Sequence, residues 1–251
     1  HVDTQEAMGA NMLNTMLEAL KPVLEELCQG QSLMGILSNY ATDSLVTASC
    51  RIAFRYLSRQ QDQGREIAEK IALANQFAQA DPYRAATHNK GIFNGVDAIL
   101  IATGNDWRAI EAGAHAFASR DGHYQGLSCW TLDLEREELV GEMTLPMPVA
   151  TKGGSIGLNP RVALSHELLG NPSAKELAQI IVSIGLAQNF AALKALVSTG
   201  IQQGHMKLQA KSLALLAGAS ESEVAPLVER LIANKTFNLE TAQRYLENLR
   251  S

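Results

Sequence analysis

The stretch Asp81–Arg108, DPYRAATHNKGIFNGVDAILIATGNDWR, decides the fold and carries the densest set of reactive side chains. Within it, Lys90 lies in a polar segment that predicts a turn, and Val96–Ala102 is a short apolar run between glycines that predicts a buried strand. Asp106 follows that run. Such a path would bring the Lys90 ammonium and the Asp106 carboxylate to one mouth of a sheet, where burial would shift both pKa values. Spacing alone fits equally well an exposed lysine and a turn-forming aspartate.

The rest of the sequence mixes helical and strand patterns without regular β-α-β alternation, which predicts an α+β fold. A first helix is expected to begin near Asp3 or Thr4, because Asp3 and Glu6 have the spacing of a reciprocal cap. Two strands are expected within Ser32–Phe54. The other predicted elements are helices at Gln61–Gln79 and Glu111–Ala118, a hairpin of Ser128–Leu132 with Glu138–Leu145, a long helix at Ala174–Ser198, and three short helices at 205–217, 221–234 and 239–249.

The composition of the chain excludes several classes of protein. The 251 residues are 46% apolar, enough for a sizeable core, and a net charge of -5 with 21 basic residues argues against non-specific nucleic-acid binding. No signal peptide is visible in the sequence, and we expect no apolar run to approach the roughly 18 residues of a membrane span. Cys28, Cys50 and Cys129 are widely spaced, which favours reduced thiols in a cytoplasm and no metal site.

Four motifs occur in the order of the signature stretches of 3-hydroxy-3-methylglutaryl-CoA reductase. They are Glu6–Met12 (EAMGANM), Asp81–Gly91 (DPYRAATHNKG), Thr103–Arg108 (TGNDWR) and Gly200–Met206 (GIQQGHM). The chain resembles the class II, soluble bacterial branch of this family. The resemblance implies the end of a small, non-Rossmann (ferredoxin-like) dinucleotide-binding domain at 1–48, a large mixed α/β domain binding substrate and CoA at 49–198, and a helical C-terminal flap at 199–251.

The first motif is the candidate cofactor site. By itself, a helix start with Gly9 and Asn11 fits either a phosphate site or an ordinary core helix. The resemblance implies that Glu6, Met8, Gly9 and Asn11 bind NADPH or NADH. The family commonly has aspartate at the position of Glu6, so the role of that residue is the less certain one.

The second motif is the candidate substrate site. A guanidinium binds a carboxylate with two hydrogen bonds, as the free acid of a hydroxymethylglutaryl group requires. The alternative is a polar surface loop. The resemblance implies that the substrate contacts come from Arg84, Thr87, Asn94, Asn39 and Gln188. Lys152-Gly153-Gly154 fits a CoA phosphate site or simply a turn.

The resemblance also implies the reaction, which is the four-electron reduction of hydroxymethylglutaryl-CoA to mevalonate and CoA by two NAD(P)H in the mevalonate pathway. Lys90 would stabilise the developing oxyanion and Asp106 would hold that lysine charged. His205, otherwise a solvated cap residue, would protonate the CoA thiolate. The family resemblance further implies a homodimer with a shared active site, or a higher oligomer.

One departure concerns the start of the chain. The family takes a catalytic glutamate from upstream of the cofactor domain, whereas this chain opens at His1 in a predicted strand. We therefore expect the isolated polypeptide to be impaired. Two other functions stay open: another CoA-thioester enzyme such as an acyltransferase, and a non-catalytic fragment that serves as an interaction module.

Overall fold

Nine helices and three strands make up the described part of the computed structural model, which confirms the α+β class in its coarse form. The structure describes residues 2–60, 63–154, 156–198, 201–234 and 236–250, without the side chains of 201–205. The helices are α1 Ala10–Cys28, α2 Gln63–Ala80, α3 Pro82–Ala102, α4 Trp107–Ala118, α5 Pro160–Leu168, α6 Ala174–Val197, α7 Ile201–Leu216, α8 Glu221–Ala233 and α9 Leu239–Arg250. The strands are β1 Leu45–Ala53, β2 Ser128–Asp133 and β3 Glu138–Pro146, with a 3-10 turn at Phe54–Tyr56.

The three strands form one antiparallel sheet in the order β1-β3-β2. The predicted hairpin is confirmed as β2 and β3, in which Trp130 pairs with Gly141. The glycine is required there, because an added Cβ would meet the Trp130 ring at 2.3 Å. Side chains alternate along β3, so that Leu139, Met143 and Leu145 are buried.

Contacts divide the chain into two compact units, His1–Ala191 and Ala192–Ser251. The second unit packs α7, α8 and α9 around a small core that includes Ala214, Leu227 and Leu246. The predicted capping box of α8 is confirmed, since the Ser220 N–H donates to Glu223 Oε2 at 2.7 Å. The division predicted at residues 48 and 198 stays a prediction.

The apolar run Val96–Ala102 is not a strand, because it forms the last two turns of α3. Asp81 caps this helix by accepting from the Tyr83 N–H at 3.1 Å, and Pro82 occupies its first turn. Ile92, Val96 and Leu100 recur every fourth residue and are fully buried. A short apolar run between glycines does not by itself distinguish a buried strand from a buried helix. Lys90 consequently lies inside a helix and not in a turn.

Other predictions about elements were wrong in part. Within Ser32–Phe54 the structure has the single strand β1. Asp3 does not cap α1, because the helix begins after Gly9 without a side-chain cap, and Asp3 instead accepts from the Gln5 N–H. Val2 is not in a strand, and His1 lies outside the described residues. The first of the three C-terminal helices begins at Ile201 rather than near residue 205.

The expectation about apolar runs was also wrong, since α6 is long and apolar enough by composition to cross a membrane. One side of this helix packs in the core of the protein. Leu177, Ile181 and Leu186 are buried, and Asn189 accepts from the Trp130 indole N–H at 2.8 Å. An added Cβ at Gly185 would lie 2.7 Å from Met143 Cε and 2.9 Å from Val96, so this glycine lets α6 lie close against α3 and the sheet.

Candidate functional site

Helix α3 gathers the predicted substrate residues on one face. At about 100° per residue, Arg84, Thr87, Lys90 and Asn94 fall within an arc of about 120°. Thr87, Lys90 and Asn94 are exposed, and Arg84 is half-buried. Gly91 lies within the same arc, and a Cβ added to it would meet nothing within 4 Å. This group of four polar side chains is called the α3 face below.

Both cations of the α3 face lack a partner among the residues that the structure describes. Within the described part of the chain, neither Arg84 nor Lys90 forms an ion pair or a hydrogen bond. Burial lowers the pKa of the Arg84 guanidinium, which shows that its site disfavours the charge. A half-buried guanidinium without a partner has lost part of its hydration, which costs free energy. This is the expected state of a group that binds an anionic ligand.

Asp106 lies at the start of α4 and caps it. Its Oδ1 accepts from the Ala109 N–H at 3.0 Å, and its side chain is exposed. Among the described residues no ion pair within 4.0 Å joins Asp106 to Lys90. The structure therefore places both groups on the surface of the first unit without the predicted buried contact, and the Oδ2 of Asp106 stays free of hydrogen bonds to the residues described.

A buried polar network lies under the α3 face. His88 is 3% exposed, and its Nε2 lies 2.7 Å from the Ser128 hydroxyl and 3.2 Å from the Asn189 amide nitrogen. The Asn189 Oδ1 accepts from the Trp130 indole, which is only a donor, so the orientation of the Asn189 amide is fixed. The Ser128 hydroxyl donates to the same Asn189 Oδ1 at 2.9 Å. The Nε2 of His88 therefore lies within hydrogen-bond distance of both a hydroxyl and an amide nitrogen, which fixes the position of the ring.

The charge state of His88 follows from the same surroundings. Burial and the nearby Arg84 charge lower the pKa of His88 to about 4, so the ring is neutral at physiological pH. Its Nδ1 has no hydrogen-bond partner among the described residues. His88 and Arg84 are one turn apart on α3, so the network fixes the helix directly beneath the guanidinium.

The N-terminal motif has a local structural explanation for its glycine. Gly9 has φ +84°, in the left-handed region, and an added Cβ would lie 2.2 Å from the Thr4 side chain. The cofactor role that the resemblance implies for Gly9 is therefore not needed to explain why this residue is a glycine. Asn11 is exposed in the first turn of α1, whose N–H groups have no acceptor within the helix. Met8 packs against the cluster of Ala150, Ile156 and Val162.

Glu6 is engaged by the protein itself. Its carboxylate accepts from the Thr151 hydroxyl and, at 2.9 Å, from the Ala174 N–H at the start of α6. Its carbonyl accepts from the N–H groups of Thr151 and Lys152 at 2.9 and 3.1 Å. The Thr151 hydroxyl and the Ala174 N–H lower the pKa of Glu6, with Lys152 and Lys175 as nearby positive charges. Glu6 is thus a structural anchor for three segments.

Asn39 and Gln188 lie against the helices that bear the other site residues. The carbonyl of Asn39 lies so close to α4 that a Cβ on Gly113 would meet it at 2.5 Å, while the Asn39 residue is exposed. Gln188 is half-buried on α6 and lies next to Gly95 of α3, 3.1 Å from an added Cβ. Both residues are therefore close to the elements that carry Lys90 or Asp106.

A carboxyl pair joins α3 to α4. Burial raises the pKa of Asp97 to about 6, and the adjacent Glu111 carboxyl adds to the effect by repulsion and by a hydrogen bond. The Oδ1 of Asp97 is buried without another partner among the described residues. Asp97 therefore keeps its proton to a higher pH than an ordinary aspartate does.

His205 belongs to α7 in the second unit, and its side chain lies outside the described residues, as does Gly200. The predicted role of His205 therefore stays a prediction. A cavity of about 520 Å³ lies between the end of α5 and α6, and it is lined by residues such as Leu169, Pro172 and Ile180 and by no predicted site residue.

Sequence reasoning overlooked Thr151 and Asn105. Asn105 holds Ala150 with two hydrogen bonds, donating to its carbonyl at 3.0 Å and accepting from its N–H at 2.7 Å. Asn105 lies within the quoted TGNDWR motif, and Thr151 directly precedes the glycine-rich segment, so proximity to a motif was the available signal. Their partners are 45 and 145 positions away in sequence, and local patterns do not reveal such pairs.

A sequence model described as hydroxymethylglutaryl-coenzyme A reductase matches residues 1–210. The 3-hydroxy-3-methylglutaryl-coenzyme A reductase of Archaeoglobus fulgidus is 45% identical over 250 residues, which are 100% of this chain and 56% of that protein.

Two solved structures from Streptococcus pneumoniae are 96% identical to this chain. One is a 3-hydroxy-3-methylglutaryl-coenzyme A reductase, with a TM-score of 0.79 over 99% of this chain and 59% of that one. The other is described as a class II reductase bound to NADPH in open conformations, with a TM-score of 0.78 over 100% and 61%. The chain thus spans little more than half the length of the relatives that it matches.

Proposed function

Because the chain belongs to the hydroxymethylglutaryl-coenzyme A reductase family, we propose that it forms the substrate-binding part of an enzyme that reduces hydroxymethylglutaryl-CoA to mevalonate and CoA. The proposed reductant is NADPH, two molecules per turnover, since a structure 96% identical to this chain is described as bound to NADPH. The proposed architecture is the family's class II arrangement, with a ferredoxin-like cofactor domain that ends near residue 48 and a helical flap after residue 198.

The observation that carries this proposal is the α3 face. Arg84 is half-buried and unpaired among the described residues, and Thr87 and Asn94 add neutral donors beside it. This combination suits the free carboxylate of a hydroxymethylglutaryl group, which a guanidinium binds with two parallel hydrogen bonds. Asn39 and Gln188 are proposed to complete the site from the elements packed on α4 and α3.

The residues of the N-terminal motif fit a dinucleotide. The first turn of α1 offers unpaired N–H groups, Asn11 is exposed, and Lys152 and Lys175 supply positive charge near Glu6. We propose that Met8, Gly9 and Asn11 bind the dinucleotide, with Glu6 as their support. When bound, NADPH supplies the hydride in each of the two reduction steps.

Lys90 is proposed to stabilise the negative charge that develops on the thioester oxygen. Its ammonium has no competing partner among the described residues, so its donors are available to a substrate. Asp106 caps α4 with its Oδ1. Its Oδ2 is proposed to pair with Lys90, which would hold the lysine charged and oriented. Such stabilisation acts more on the transition state than on the bound substrate.

His205 is proposed to protonate the departing CoA thiolate, whose conjugate acid has a pKa of about 8.5 by analogy with cysteine. The boundary between the two compact units falls at Ala191, a few residues before the predicted flap. A flap that moves as a unit suits a reaction in which the first oxidised cofactor must leave before the second reduced one binds.

We also propose that the protein acts as a cytoplasmic homodimer with a shared site. Cys28, Cys50 and Cys129 are free thiols, which fits a reducing compartment. Helix α1 has no buried residue and exposes one apolar stripe, which fits a surface that another part of the protein or a second copy covers. The stripe consists of Met12, Met16, Leu20, Val23, Leu24 and Leu27.

The test is the loss of NADPH absorbance on addition of hydroxymethylglutaryl-CoA. It is run on the chain and on an extended protein, which is this chain joined to the additional sequence of the Streptococcus pneumoniae relative. We expect turnover by the extended protein, and a fall of about 10²–10³-fold in kcat for Lys90→Ala. His205→Ala is expected to slow CoA release. Normal rates in both variants would refute the assigned roles.

The same assay separates the alternatives. An acyltransferase would release CoA to an acceptor without oxidising NADPH. A non-catalytic module would do neither, even in the extended protein.

A further inference from the structure

The hydrogen bonds of Glu6 connect the proposed cofactor motif to two distant segments. Thr151 contributes twice, with its N–H to the Glu6 carbonyl and its hydroxyl to the Glu6 carboxylate. The second donor to that carboxylate is the Ala174 N–H at the start of α6. Thr151 is therefore the side chain that holds the carboxylate of a residue two positions before Met8.

The same segment also reaches the turn that carries Asp106. Ala150 precedes Thr151 and is held on both its N–H and its carbonyl by the Asn105 side chain. Ala150 also belongs to the cluster on which Met8 packs. The segment Ala150–Thr151 thus lies between the cofactor motif on one side and the Asn105-Asp106 turn on the other.

A carboxylate held in this way is better suited to supporting the fold than to contacting a dinucleotide. Oε2 of Glu6 already accepts two hydrogen bonds, one of them from a hydroxyl, and charge-assisted bonds of this type are about twice as strong as neutral ones. A side chain so restrained fixes the backbone that follows it. Here that backbone is the Met8-Gly9 turn, in which Gly9 adopts φ +84°.

We propose that Thr151 is a positioning residue for the dinucleotide, acting through Glu6. Its hydroxyl fixes the Glu6 carboxylate, and Glu6 in turn sets the Met8-Gly9 turn and the first turn of α1 at a constant distance from the Asp106 turn. This inference rests on the proposed function, and it assigns to Glu6 a supporting task in place of direct contact with the cofactor.

The hydroxyl can be removed with little change of shape. Thr151→Val replaces it by a methyl group, and Thr151→Ser keeps it. In the extended protein we expect Thr151→Val to raise the Kd of NADPH, measured by nucleotide fluorescence, about tenfold. The kcat at saturating NADPH and the KM for hydroxymethylglutaryl-CoA should stay within about twofold. Thr151→Ser should restore the wild-type Kd.

A matched control is Thr144→Val. The Thr144 hydroxyl forms an exposed hydrogen bond of 2.8 Å with Thr47 on the sheet, so this variant loses the same group elsewhere. It should leave the Kd of NADPH unchanged. Glu6→Gln is the second test, because its amide oxygen can still accept from Thr151 and Ala174. We expect a change in Kd below about threefold, and a Thr151→Val/Glu6→Gln double variant no weaker than Thr151→Val alone.

Three results would overturn the inference. One is an unchanged Kd of NADPH in Thr151→Val. The second is a tenfold loss in Glu6→Gln with Thr151→Val unaffected, which would indicate direct contact between Glu6 and the dinucleotide. The third is equal weakening of NADPH and hydroxymethylglutaryl-CoA, the mark of a general structural defect. If the wild-type extended protein binds no NADPH, the proposed function itself fails and the inference falls with it.

Discussion

His88 is the residue whose chemical state the structure defines most fully. Burial next to Arg84 keeps the ring neutral, and its Nε2 lies 2.7 Å from the Ser128 hydroxyl and 3.2 Å from the Asn189 amide nitrogen. The sequence alone assigns no role to His88. Its partners Ser128 and Asn189 are 40 and 101 positions away, so no local pattern could have predicted the network.

The surroundings of His88 predict its charge state. We expect a neutral ring from about pH 5.5 to pH 8, because the pKa of His88 is lowered to about 4. Nitrogen-15 chemical shifts of the imidazole report its protonation as pH changes. Asn189→Asp is the informative variant, since a carboxylate next to Nε2 would favour the charged ring and raise the pKa of His88. Titration of wild-type His88 near its usual pKa of 6.5 would contradict this account.

Asp97 and His88 change the free energy of unfolding in opposite directions between about pH 4 and pH 6. The lowered pKa of His88 means that the unfolded chain binds the proton first, so stability falls as pH falls through this range. The raised pKa of Asp97 means that the folded chain holds the proton, so stability falls as pH rises through it. The two effects partly cancel in the wild-type protein.

Asp97→Asn should separate these effects. The amide stays neutral, so we expect the variant to be more stable than wild type near pH 8 by about 1 kcal/mol, a value reduced for partial solvent exposure. Below about pH 3 the difference should vanish, because Asp97 is then mostly protonated in both the folded and the unfolded states. Urea unfolding of both proteins at several pH values measures this difference in stability. A destabilised variant near pH 8 would contradict the account of the carboxyl pair.

At the scale of elements, α3 shows both the reach and the limit of sequence reasoning. The stretch Asp81–Arg108 forms α3 and the start of α4, and Arg84, Thr87, Lys90 and Asn94 share one face of α3. The predicted turn and strand were wrong, because the apolar run Val96–Ala102 fits a buried helix as well as a buried strand. Two features favour the helix. One is its Asp81-Pro82 start, and the other is the packing of Val96 against Gly185 of α6, a residue 89 positions further along the chain.

The α3–α6 crossing predicts contrasting effects of two alanine substitutions. Gly185→Ala places a Cβ 2.7 Å from Met143 Cε and 2.9 Å from Val96, so we expect a loss of about 1–3 kcal/mol in stability through overpacking. Gly91→Ala meets nothing within 4 Å and should stabilise the helix by about 0.5–1 kcal/mol. Chemical denaturation measures both. Equal effects of the two substitutions would be inconsistent with a close crossing at Gly185.

Gly91 also reports on the α3 face. Because it lies between Arg84 and Asn94 on the proposed substrate surface, Gly91→Ala should raise the KM for hydroxymethylglutaryl-CoA even as it stabilises the fold. A variant that is more stable and also binds substrate normally would show that the ligand does not approach α3 at this turn.

For the whole molecule, the sequence predicted the α+β class, the hairpin and the C-terminal helices, because each depends on local periodicity and capping. It did not predict the exposed apolar stripe of α1, since an amphipathic pattern shows that a face is apolar but not whether anything in the chain covers it. Leu20 is 48% exposed and Leu27 75% exposed, values that fit a surface covered in a larger assembly.

The stripe gives a prediction about assembly. In the extended protein, Leu20→Glu should weaken the proposed homodimer by at least tenfold in Kd, because a charge would be buried at an apolar contact. Analytical ultracentrifugation over a range of concentrations measures it. Glu18→Gln, on the same helix and 59% exposed, is the control and should leave the dimer intact. An unchanged association state in Leu20→Glu would remove this stripe from the interface.

The account as a whole depends on the α3 face binding a hydroxymethylglutaryl thioester for reduction. The most direct measurement is the number of NADPH molecules oxidised for each CoA released by the extended protein. We predict a ratio of two, with mevalonate as the product and with loss of both signals in Lys90→Ala. Two results would contradict this account. One is release of CoA without oxidation of NADPH, and the other is a Lys90→Ala variant that keeps both the wild-type ratio and the wild-type rate.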